Sequence, residues 1–178
     1  HDYTRRGGVE DTFIVTPEGA EWAQDRSALW NAAEAAEKRK DAKVAREYEL
    51  ALPSELDASQ RRDLVRAFAE DIRDRYGVAV DAAIHAPHDY GDDRNHHAHV
   101  MTTTRMVDAD GLGAKTRQLD VRSSASIEVE EIRASWAAQV NDALELAQVA
   151  ERVDHRSYAR QGVEMEPTVK MGHASAAI

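Results

Sequence analysis

Two stretches decide the reading of this chain: Val78-Ala-Val-Asp-Ala-Ala-Ile-His85, and His97-Ala-His-Val-Met-Thr-Thr-Thr-Arg-Met106. Both are β-rich, and a polar loop, His88–Asn95, separates them. They can therefore pair as an antiparallel hairpin. Successive side chains of a strand point to opposite faces, so His97 and His99 project together while Ala98 and Val100 turn into packing. His85 closes the first strand. Pairing would bring three imidazoles toward one point, and neutral imidazoles are good ligands for a divalent cation that keeps open positions for substrate oxygens. The chain has eight histidines, and His85, His88, His96, His97 and His99 all fall within this one window. His88 and His96 belong to the loop and are the weaker candidates. The plainer account, exposed or core hydrogen-bonding histidines, suits a lone residue better than His-Ala-His on a strand behind a third strand-terminal histidine. The triad alone specifies a metal site and no reaction, since a zinc hydrolase would be served equally well.

Outward from that window, strands and helices alternate. Phe13-Ile14-Val15 reads as a short strand and Pro17 opens a helical segment. From Glu18 to about Lys43 the composition favours helix, with Trp22, Leu29 and Trp30 on its buried face. Lys38-Arg39-Lys40 falls near the end, where cations suit the helix dipole or a phosphate. Val44–Leu52 alternates as a strand up to Pro53. Asp57-Ala-Ser-Gln60 is a capping box for a helix to Tyr76, with Leu64, Val65, Phe68 and Ile72 inward and Gly77 as its stop. Asp108-Ala-Asp-Gly111 is a turn, Ile127–Ala150 a long amphipathic helix, and the stretch from Arg152 mostly irregular. The pattern predicts an α+β fold, an antiparallel sheet covered by helices, in one domain over 1–178.

Glu47 and Glu49 share one face of the predicted strand Val44–Leu52. Either can orient a ligand histidine through its second ring nitrogen or act as a general base; both can equally be exposed residues of an edge strand. Arg94, Arg105, Lys115 and Arg117 flank the histidine window and are candidate phosphate contacts. The net charge of -10 argues against non-specific nucleic-acid binding unless the basic residues are gathered locally. With no cysteine, disulfides and thiolate ligands are excluded. No apolar run is long enough to span a membrane and no signal-peptide core opens the chain, so the expected location is the cytoplasm.

Several separated stretches, in this order, resemble the MobA/MobL plasmid mobilisation relaxases, closest to the relaxase domain of TraA-type conjugal transfer proteins. They are His1-Asp-Tyr-Thr-Arg-Arg-Gly-Gly-Val9, Leu29-Trp-Asn-Ala-Ala-Glu-Ala-Ala-Glu-Lys-Arg-Lys40 and Glu47-Tyr-Glu-Leu-Ala-Leu-Pro53, then Ala83-Ile-His-Ala-Pro-His88, Asn95-His-His-Ala-His-Val100 and Asp154-His-Arg-Ser157. The resemblance implies a relaxase/Rep-like nucleotidyl-transferase fold with His97-Ala98-His99 as the His-hydrophobic-His signature. It implies Mg²⁺ or Mn²⁺ on His85, His97 and His99, and a tyrosine nucleophile that nicks and religates single-stranded DNA at a transfer origin. Imidazole ligation suits Mn²⁺ better than Mg²⁺, which prefers oxygen. The implied partners are that single strand, accessory relaxosome proteins and a coupling protein. The family carries its tyrosine in an N-terminal strand-and-helix motif of the form Ala-Ala-Tyr-Arg-Ala-Gly, which is absent from this sequence. The resemblance thus implies an N-terminally truncated domain lacking that strand, with its own N-terminal segment as a further partner and no cleavage without it. Two other readings remain at this point: a metal-dependent hydrolase of a small substrate, and a non-catalytic single-strand DNA-binding module.

Overall fold

A computed structural model describes residues 8–87 and 92–166 of the chain. Its elements are β1 (Val9–Val15), α1 (Arg26–Ala35), β2 (Ala45–Ala51), α2 (Ala58–Tyr76), β3 (Val80–His85), β4 (His97–Thr103), β5 (Arg105–Asp108), β6 (Gly111–Lys115), α3 (Arg122–Leu146) and α4 (Tyr158–Gln161). Four strands form one sheet in the order β1-β3-β4-β2, every neighbour antiparallel, and β5 and β6 make a separate hairpin. The expected α+β architecture is what the chain adopts.

Alternation along the strands gives the sheet two unlike faces. Phe13, Val15, Leu50, Val80, Ala82, Ile84, Ala98 and Val100 point one way, into the main core with Val65, Phe68, Ala69 and Ile72 of α2 and Ile132 of α3. Removing this apolar surface from water is the main stabilising term, and it fixes the register, since a one-residue slip would turn each strand inside out. On the other face a smaller core of Ala20, Ala23, Leu29, Ala79 and Val107, joined by Ile14, Trp30 and Leu112, seats α1 and the β5–β6 hairpin. That second layer leaves the His85–His97 end of the same face outside its packing.

Local chemistry explains the element that matches its expectation best. At the start of α2 the Asp57 side chain accepts from the Gln60 backbone N–H and Gln60 reaches back to the Asp57 N–H, each at 2.8 Å. Gly77 ends the helix in the left-handed conformation, φ 63°.

Other boundaries differ from expectation. The single helix over 18–43 is instead a short 3-10 turn, Glu21–Gln24, followed by α1. Asp25, in extended backbone, caps α1 by accepting from the Ala28 N–H at 2.7 Å. The helix stops at Ala35 because Glu37 is drawn aside into bonds with Arg105 and Lys115. Lys38-Arg39-Lys40 lies past the helix end, and its Arg39 pairs with Asp41. The strand expected to reach Met106 ends at Thr103, and Arg105–Asp108 turns away to pair with Gly111–Lys115 across the expected 108–111 turn. α3 begins at Arg122 and ends at Leu146, earlier at both ends than expected, with Gln148 in a left-handed conformation just beyond. Among the described residues no helix is long and apolar enough to cross a membrane.

Candidate metal and phosphodiester site

The histidine face is built by register. His85 lies opposite His97 across β3 and β4, and His99 lies opposite Ala83 on one side and Glu49 on the other. The three imidazoles stand as a compact trio. Ring centres are 5.2 Å apart for His85–His97, 5.1 Å for His85–His99 and 5.4 Å for His97–His99. His85 and His97 stack nearly parallel, and His99 meets both edge-on. Adjacent alanines make this crowding possible: Ala83 and Ala51 give the rings room where a larger side chain would stand.

Hydrogen bonds orient two of the rings. His99 Nδ1 lies 2.7 Å from Glu47 Oε1, and His97 Nδ1 lies 3.0 Å from the Asn95 carbonyl oxygen. Both partners are acceptors, so each Nδ1 carries a proton, and Nε2 is the ring nitrogen through which such an imidazole, when neutral, binds a metal. A cation bound by Nε2 atoms at about 2.1 Å would set ring centres roughly 5 Å from one another. As they stand, no group of three or more His, Asp or Glu side chains among the described residues is poised to hold an ion. The spacing of the trio and its donor chemistry nevertheless suit one.

Of the two glutamates on this face, Glu47 reaches His99, and Glu49 is exposed directly across from it. His96 stands just before β4, and burial pushes its imidazole down; His88 lies outside the described residues. Arg94 is exposed on the loop leading to His97, paired with Asp92, whose carboxyl the Arg94 side chain holds down to about 2. Arg105 and Lys115 sit beyond the opposite end of β4 and face inward. Arg105 Nε and Lys115 Nζ lie 2.9 and 2.6 Å from the two oxygens of Glu37, and Arg105 also donates to the Gly113 carbonyl. One mostly buried carboxylate thus holds both of these candidate phosphate contacts. Arg117 is exposed on a 3-10 turn at that same far end.

Sequence reasoning passed over one charged group on the histidine face. Asp81, in the run Val80-Asp-Ala-Ala-Ile84, is buried and receives Arg26 Nε and Nη2 at 2.9 and 2.8 Å and Trp30 Nε1 at 2.9 Å. The available signal was the lone acid in an apolar strand, because a buried carboxylate must find partners. The tyrosines Tyr48 and Tyr76 belong to the helix-covered side. Tyr48 meets Phe68 edge-on and burial raises its hydroxyl; Tyr76 donates to Glu128, and burial followed by that carboxylate raises it further. A cavity of about 520 Å³ between α3 and the end of β2 is lined by Leu52, Pro53, Arg133 and Trp136, and by none of the three imidazoles.

The model of the MobA/MobL family matches residues 1–178. The mobilization protein MobL of Acidithiobacillus ferridurans is 39% identical over an alignment covering all of this chain and 53% of that protein. The conjugal transfer protein TraA of Agrobacterium fabrum is 34% identical over 99% of this chain and 18% of that protein. The chain thus spans about half, or less, of the length of these relatives. A solved structure from work on the molecular basis of vancomycin resistance transfer in Staphylococcus aureus superposes with a TM-score of 0.73 at 28% identity, covering 88% of this chain and 80% of that one. With a family match over its whole length and relatives at this identity, the chain belongs to the MobA/MobL family.

Proposed function

We propose that this chain is the metal-binding part of a plasmid-mobilisation relaxase, which nicks and rejoins single-stranded DNA at a transfer origin during conjugation. The observation that carries the reading is the trio of imidazoles on one sheet face with Glu47 on His99. His85, His97 and His99 would hold Mg²⁺ or Mn²⁺. When bound, such a cation spreads the charge that develops on a phosphate under attack and favours in-line displacement.

The chain's own residues do the rest of the positioning. Glu47 keeps the His99 ring turned so that Nε2 faces the substrate side, and the Asn95 carbonyl does the same for His97. The sheet beneath is fully packed, so the ligands move little when a strand of DNA docks. Cleavage in this reading is transesterification: a tyrosine oxygen bonds to phosphorus, the bond from phosphorus to the 3′ oxygen breaks, and the 3′ oxygen leaves with a proton. The resulting 5′-phosphotyrosyl link preserves a phosphodiester, so the free 3′-hydroxyl can later reverse the step. A phenol with a pKa near 10 needs help from a base or a cation to attack. Tyr48 and Tyr76 are unsuited, being turned to the opposite side and raised by burial. The nucleophile is assigned instead to the N-terminal tyrosine motif of the family, with accessory relaxosome proteins and the coupling protein as further partners.

The test joins an N-terminal tyrosine segment of the family to this chain and offers it an oligonucleotide spanning a transfer origin. Nicking with covalent capture of the 5′ end is expected, and changing His85, His97 and His99 together to alanine should abolish it. Undiminished nicking by that variant would refute the assignment.

A further inference from the structure

Resting on the function just proposed, we propose that Arg26 is a phosphate-contacting residue, presented by Asp81 and Trp30 to the DNA strand that crosses the imidazole face. Alternation along β3 places Asp81 on the same face as Ala83 and His85. Asp81 lies directly opposite Met101, which makes His99 its diagonal neighbour on β4. Diagonal neighbours of an antiparallel pair are about 7–8 Å apart. Arg26, the first residue of α1, thus reaches the sheet at Asp81, on the same strand and face as His85.

The way the guanidinium is held supports a presenting role. Its Nε and Nη2 lie on the two oxygens of Asp81 in a bidentate fork, and Trp30 Nε1 adds a third donor to the same carboxylate. Asp81 is 5% exposed while the Arg26 side chain is 29% exposed, so the acid is sunk and the base reaches toward solvent. A fork of this kind fixes the plane of an arginine that has five N–H donors to offer, and planar donors suit phosphate oxygens. Stability alone is a poor reason for the pair, since buried ion pairs are often replaceable by apolar residues at no loss.

Charge makes the contact necessary. The chain carries a net charge of -10, and Glu47 and Glu49 lie on the very face the strand must cross. Arg105 and Lys115 lie beyond the opposite end of β4, on Glu37. A guanidinium fixed on Asp81 gives a phosphate of that strand a defined seat.

Salt dependence of binding tests this. Affinity for an oligothymidylate of about twenty nucleotides is measured with Mn²⁺ over a range of salt, where each phosphate contact to a single strand contributes about 0.7 to the slope of log affinity against log salt. The double variant Arg26→Met with Asp81→Asn removes both charges, so no buried ion is stranded. It should keep wild-type Mn²⁺ affinity and lose about 0.7 of slope. Arg26→Gln alone, which keeps a donor for Asp81, should lose the same amount, and stands in if the double variant does not melt cooperatively. A folded Arg26 variant with the wild-type slope overturns this inference and leaves the functional reading intact. Failure of the wild-type chain itself to bind the oligonucleotide overturns both.

Discussion

Parity along two strands is what makes the imidazoles legible in the sequence. His97 and His99 have to share a face, and β3 has to end at His85 for the third ring to join them; the register delivers both. The choice between Glu47 and Glu49 is not legible there, because both occupy that face and only the tilt of the side chains separates them. Glu47 takes the diagonal to His99. A carboxylate behind a ligand histidine raises its basicity and holds its tautomer, and losing one typically costs roughly 10- to 100-fold in metal affinity. Glu47→Gln should therefore weaken Mn²⁺ binding by about that factor with an unchanged melting temperature, whereas Glu49→Gln should change it less. Calorimetric titration of the two variants distinguishes them, and equal losses would mean that the Glu47–His99 bond plays no orienting part. Asp81 is hard to read for a related reason: its partners Arg26 and Trp30 are 55 and 51 residues away in sequence.

Among the elements, those defined by neighbouring residues are legible and those defined at a distance are not. The capping box at Asp57 and the glycine stop at Gly77 are local chemistry, and α2 begins and ends where they put it. The α1 region has strong helix formers past Ala35, yet the helix ends there. The cause lies in Glu37, whose partners Arg105 and Lys115 are 68 and 78 residues downstream. Gly77 gives a direct test of the local kind. It sits at φ 63°, and a Cβ there would come within 3.1 Å of the Met106 Cε. Gly77→Ala should cost about 1–2 kcal/mol from the left-handed backbone alone. Urea unfolding would check it, and a loss near zero would contradict the assigned cap.

At the scale of the molecule, two layers on one sheet divide the labour. α2 and α3 stabilise the sheet from behind, and α1 with the β5–β6 hairpin covers half of the front, leaving the imidazoles at the other half. Glu37 joins α1 to the hairpin, so its protonation bears on the whole front layer. The Lys115 hydrogen bond lowers the Glu37 carboxyl from its ordinary 4.5, burial opposes this, and Arg105 lowers it further. A carboxyl lowered on folding adds stability above its unfolded value and loses it as pH falls through the folded one. The melting temperature should therefore drop on acidification below about 4.5, and Glu37→Gln should flatten that part of the profile while lowering stability near neutrality. An unaltered profile in the variant would show that the carboxylate does not tie the layer down.

The claim on which the rest depends is that the front of the sheet is a cation site. Titration of Mn²⁺ into the chain, read by calorimetry or by loss of the free-ion electron-spin signal, measures it directly. The account predicts one equivalent bound by the wild-type chain and none by the variant with His85, His97 and His99 all changed to alanine, with both proteins melting cooperatively. Equal binding by the two proteins, or no binding by the wild type, would contradict it.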